Sequence, residues 1–188
     1  MDSGSVVPTP SRKIGVLAIV DAKYIQHNYV LRSTPSAPAI VNPAHIFMVG
    51  TSLRSSAGEL MLNARIGDVV SMIGTSADHN SSDAVIVYRV QLADQGNALR
   101  PFKQSIVTRI RAVEPDPDST SRDGLPALET PANFSSFESK IRAHGIERIR
   151  IEFALYALAQ NGQSQILVGY YRSDLNITIA SHREGVPQ

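Results

Sequence analysis

The chain has 188 residues and not one cysteine or tryptophan. Without a thiol there is no disulfide framework, no thiolate nucleophile, no iron–sulfur cluster and no cysteine-ligated zinc. Charge of one sign is lacking too. Eighteen Lys and Arg against seventeen Asp and Glu leave +1, so no general pull draws the chain to nucleic acid or an anionic membrane. The first apolar run, residues 14–20, falls far short of the roughly 20 residues of a membrane-crossing helix, and no later run reaches that length. Residues 1–13 hold Asp2, Pro8 and Pro10 and no apolar stretch of the kind a secretory signal carries, so a cytoplasmic protein is expected.

Catalytic signatures are equally scarce. There is no Gly-x-Ser-x-Gly elbow, phosphate loop, His-Glu-x-x-His or dinucleotide glycine fingerprint. His27, His45, His79, His144 and His182 are scattered, with no pair spaced to hold one metal from one element. These absences point away from an enzyme and from any cofactor or metal.

What is present is the composition of an ordinary globule, 43% apolar and 19% charged, and strand patterns dominate it. Residues 14–20 form a continuous apolar run, the pattern of a strand covered on both faces. Residues 45–50, 59–64, 69–74, 83–92 and 105–113 follow as further strands, alternating or rich in β-branched side chains. Ile149, Ile151, Phe153, Leu155, Ala157 and Ala159 share one parity of a long strand. Asn161-Gly162 then supplies the dipeptide suited to a type I′ hairpin turn. Residues 166–171 return as its partner, and 174–180 make a third strand of an antiparallel meander. One helix is expected after Ser135, which with Glu138 fits a capping box, with Phe134, Phe137 and Ile141 on a face and Gly145 as terminator. A short helical turn is expected after the first strand, because Tyr24 and Asn28, like Ile25 and Tyr29, lie four apart. The fold class predicted is all-β, an antiparallel β-sandwich or jelly-roll-like fold with one or two short helices. A single domain spans 14–182, between tails at 1–13 and 183–188 and with mobile loops at 31–43 and 114–131.

Three polar clusters are weighed. Asp78, Asn80 and Asp83 form an oxygen-rich loop, yet the sixth and twelfth positions from Asp78 are Asp83 and Arg89, where a calcium loop needs Gly and Glu; a solvated turn is the plainer reading. Arg109 and Arg111 share one strand parity, as do Arg148 and Arg150, and would form a basic stripe only if their strands were neighbours. Asp21, Tyr24, Asn28 and Tyr29 gather hydrogen-bonding and aromatic groups at a strand end, and are the candidate ligand-binding residues for a sugar or small amphipathic molecule.

The order of short motifs resembles a known family. Ile19-Val20-Asp21, Tyr24-Ile25, Asn28-Tyr29 and, after a Pro-rich loop, Ile46-Phe47-Met48-Val49 are similar to the bacterial AidA/PixA inclusion-body protein family. So are Leu60-x-Leu62-x-Ala64, Gly67-Asp68-x-Val70, Asp83-x-Val85-Ile86-Val87-Tyr88 and Phe153-Ala154-Leu155-Tyr156. The resemblance implies a small, mostly β protein with no catalytic residue. Some members accumulate in intracellular inclusions and others are made under cell-density (quorum-sensing) control in host-associated bacteria, and either is expected here. The missing catalytic motifs, the near-zero net charge and strands whose edges could pair between subunits point to self-association as a homo-oligomer, a dimer or larger. PixA-type members are methionine-rich, whereas this chain has four Met, so the AidA-like side is the nearer likeness.

Overall fold

The structure is a computed structural model, and it describes residues 10–29, 32–50, 53–56 and 58–181. The elements in chain order are β1 (Lys13–Val20), α1 (Ala22–Asn28), β2 (Ala39–Ile40), a 3₁₀ turn (Pro43–His45), β3 (Ile46–Gly50), β4 (Leu53–Ser56) and β5 (Glu59–Ala64). Then come β6 (Val69–Ser76), β7 (Ala84–Leu92), β8 (Lys103–Glu114), β9 (Leu128–Lys140), β10 (Gly145–Leu158) and β11 (Gln165–Ser181). Two sheets stack as a sandwich. The first has the order β3-β1-β6-β9-β8 and the second β4-β5-β11-β10-β7, with β2 added beside β11. Both sheets are mixed, because β1 pairs β6 in parallel and β11 pairs β5 and β2 in parallel.

Period-two alternation builds the core. Ile14, Val16, Ala18 and Val20 of β1 and Val70 and Met72 of β6 face Leu60 and Leu62 of β5. Ile149, Ile151, Phe153 and Leu155 of β10 and Leu175, Ile177 and Ile179 of β11 complete it, with the Phe153 and Tyr171 rings stacked 5.7 Å apart. Each Val, Leu, Ile, Met or Phe among them, once buried, contributes about 1.5–3 kcal/mol. The short helix forms where its spacing suggests. Asp21 caps it by accepting from the Tyr24 amide at 3.1 Å, Ile25 plugs the end of the sandwich, and extended Tyr29 ends it.

Several expectations are corrected. Residues 135–140 form no helix; they lie in β9, where Phe137 turns inward and is buried. Ser, Asn and Thr with Pro131 make weak helix material, pairing with β6 and β8 takes the backbone, and Glu138 binds Lys13 instead of capping. Gly145, with φ +147, opens β10. No meander forms either, since β11 runs unbroken through 174–180. The hairpin turn is not type I′: only Gly162 of the pair has positive φ, and the Asn161 side chain accepts from the Gln163 and Ser164 amides. The 114–131 loop narrows to 115–127, and the 31–43 segment carries β2 and part of the 3₁₀ turn. Of the expected tails, 10–13 are described. Arg12 is tied to Asp68 by three bonds, while 1–9 and 183–188 lie outside the described residues.

Candidate functional site

Asp21, Tyr24, Asn28 and Tyr29 do come together, on and around α1. Tyr24 stacks on His45 with centroids 3.7 Å apart and meets Tyr29 edge-on at 6.4 Å. Their polar atoms serve the backbone. Asp21 caps the helix, Asn28 donates to the Tyr24 carbonyl at 2.8 Å, and the Tyr29 hydroxyl accepts from the Asn42 amide at 3.0 Å. The cluster thus pins the helix to the 3₁₀ turn, leaving the Tyr24 face, 42% exposed, as its outward surface.

The 76–83 loop is likewise self-satisfied. Asp78 accepts from the Ser76 hydroxyl and from the Ser82 and Asp83 amides, and Asn80 accepts from the Ser76 and Val85 amides. Burial would raise the Asp78 carboxyl, but these donors outweigh it and hold it below its usual value. Among the described residues no group of three potential metal ligands converges.

Arg109 and Arg111 belong to the first sheet and Arg148 and Arg150 to the second, so no four-arginine stripe exists. Instead Arg111 binds Glu129, and Arg148 and Arg150 both grip Asp174 across the β10–β11 ladder. Arg150's bonds hold the Asp174 carboxyl low, and Asp174 raises the guanidinium in turn. One row further, Glu152 of β10 lies between Arg89 of β7 and Arg172 of β11. It is 4% exposed and accepts from Arg89 at 3.0 Å. The Tyr88 hydroxyl is buried near it without a well-formed hydrogen bond. Burial first, then the Glu152 charge, push that phenol up to about 12. Sequence reading missed this row, because nothing local says that β7 and β11 flank β10.

Two apolar features remain. β9 pairs with β6 only through Phe137, so beyond that point it runs with β8 alone as a two-stranded ribbon. The ladder bulges opposite Pro131, which has no N–H to offer. Of the twelve β8 residues only Ala112 is buried. Ile106, Ile110 and Val113 are 67, 76 and 74% exposed, on an element that is marginal in water by itself. Where β9 leaves β6 a cleft of about 420 Å³ opens. Val85, Val87 and Phe137 are apolar lining, with Ile106 and Phe134, and Gln104 and Asn133 add neutral amides.

Comparison with known proteins gives a family model described as PixA, inclusion body protein, which matches residues 12–179. A crystal structure of an inclusion body protein of the PixA type from Burkholderia cenocepacia J2315 matches at a TM-score of 0.72 and 27% identity, over 93% of this chain and 99% of that one. No curated protein matches the chain.

Proposed function

Because the chain belongs to the PixA inclusion body protein family, we propose that it is a non-catalytic protein whose work is to associate with copies of itself. The reading extends to accumulation as cytoplasmic inclusions, made under cell-density control in a host-associated bacterium. The observation that carries it is the β8–β9 ribbon, whose apolar side chains have little cover among the described residues. Exposed apolar patches beyond a few hundred Å² mark association surfaces, and a net charge of +1 opposes self-contact only weakly. Among the described residues no helix is long and apolar enough to cross a membrane. Sedimentation velocity over a concentration series tests the reading. Growth from monomer to dimer or larger species is expected, and a monomer persisting to about 1 mM, the weak end of specific association, refutes it.

A second reading, a module that binds a sugar or small amphipathic molecule, draws on the cleft beside β7. Its volume lies in the range of small-molecule sites, about 300–1,000 Å³, and its amides sit above an apolar floor. A thermal-shift screen in which hits vanish with Val87→Phe but persist with Tyr24→Ala favours the cleft. The reverse pattern favours the Asp21, Tyr24, Asn28 and Tyr29 cluster.

A further inference from the structure

A sandwich facing water on its outer sides shows polar side chains there. The outer face of the first sheet breaks this rule. Register fixes its rows: Val49, Leu17 and Ile73 lie side by side across β3, β1 and β6, and Phe47, Ile19 and Thr75 form the next row. Phe134 of β9 and Val107 of β8 oppose each other on the same side of the sheet, because Glu138 faces Ser71 and outward positions alternate from there. Phe47 and Val49 are 52% exposed, Phe134 53% and Ile73 46%, while Leu17 and Ile19 are half-buried.

β1 makes the point most directly. Ile14, Val16, Ala18 and Val20 are buried on the inner side, yet the outward Leu17 and Ile19 are apolar as well. That is the composition of a strand covered on both faces, and the described residues cover only one fully. Charges stay at the borders of this face, with Lys13, Glu138 and Lys103 toward one end and Arg109 toward the other. Seven apolar side chains at these exposures leave about 500 Å² of apolar surface, the size of the largest patch on a typical monomer, which is often functional. With the surrounding polar side chains it nears the ~800 Å² that each partner of a standard interface buries.

We propose that this face packs against the same face of a second copy of the chain, sheet upon sheet about 10 Å apart around a two-fold axis. A two-fold contact brings each patch onto itself, so an uncharged centre is required; a patch of one sign would repel its own image. Across β3, β1 and β6 the face is paired sheet surface, and the cleft opens only where β9 leaves β6; a broad paired surface suits another sheet better than a small ligand. This inference deepens the self-association reading and rests on it, and it names the outer face of the first sheet as the contact, beside the ribbon from which that reading starts.

The lack of cysteine makes the test clean. Thr75→Cys carries a single spin label at the middle of the face, and Asn176→Cys carries one on the outer side of the second sheet. Electron–electron resonance on the assembled protein is expected to give a label separation of about 10–20 Å for position 75 and about 30 Å or more for position 176, from stacked layers of about 10 Å. In parallel, Phe47→Lys is expected to raise the dissociation constant about 100-fold, as loss of a central apolar anchor does. Ile146→Lys, exposed on the other sheet, leaves it unchanged. Circular dichroism checks that Phe47→Lys is folded; if it is not, the position-75 distance decides alone. Association that survives a folded Phe47→Lys, or a long position-75 distance in an associated sample, overturns this interface while self-association stands. A wild-type chain that stays monomeric removes both.

Discussion

The loop between β7 and β8 hangs on one buried carboxylate. Glu147, 1% exposed, accepts from the amides of Ala98 at 2.9 Å and Leu99 at 3.1 Å, both themselves buried. Gly96 leaves room for it: a Cβ there would lie 1.3 Å from Oε1 and 2.1 Å from Cδ of Glu147. Glu147→Ala orphans two buried donors at about 1–3 kcal/mol each, so a loss of about 3 kcal/mol is expected. For a chain of this size each kcal/mol shifts Tm by about 2–4 °C, giving a fall of about 6–12 °C. Gly96→Ala has no φ strain to add, but it must drive the carboxylate away and break the same two bonds, so it is expected to cost nearly as much. In the double variant there is no carboxylate left to displace. The losses therefore fail to add, with a coupling of about 2–3 kcal/mol. Thermal and urea unfolding of the four proteins at one fixed concentration reads this out, concentration being held because association shifts apparent stability. Additive losses, or a Gly96→Ala protein that melts with wild type, would refute the reasoning.

Tyr171 is fully buried and its hydroxyl has no partner among the described residues, so Tyr171→Phe is expected to hold Tm or raise it by about 2–4 °C, and a fall in the melting scan counts against the orphaned hydroxyl. Asp174, held low chiefly by Arg150, and Asp68 and Asp78, held low by donors that outweigh their burial, have folded pKa values below the unfolded 3.8. Depressed carboxylates stabilise the fold fully above the unfolded value and lose that contribution as pH falls through the folded one. Urea midpoints should accordingly drop below about pH 4, less steeply in Asp174→Asn than in wild type; identical acid limbs would show the Arg150 bonds carry no such linkage. At Gly74 a Cβ would meet Val87 Cγ2 at 2.3 Å, and Gly74→Ala is expected to cost about 1–3 kcal/mol by overpacking, with urea denaturation showing a lower midpoint and an unchanged slope.

Alternation carried what the sequence alone determined. The β1 run, the Leu60–Leu62 and Ile149–Leu155 parities and the i,i+4 pairs of α1 each state which side chains share a face, because that depends only on the local backbone period. The absence of cysteine excluded disulfides, thiolate nucleophiles and cysteine-held metals just as firmly. Partner choice was not written locally. Ser135 and Glu138 look like a helix cap until β6 and β8 claim the backbone, and Arg109 and Arg148 look like one stripe until the sheets separate them. Glu152 gains two arginine neighbours only through the ladders of β10, while Asp21 and Tyr29 look free for a ligand until the cap of α1 uses the one and the 3₁₀ turn the other. Pairing, register and burial join residues far apart in the chain, and their energy is settled only when the whole sandwich has closed. For that reason the apolar Leu17 and Ile19 were visible from the start, and that they are only half-buried was decided by the tertiary structure alone.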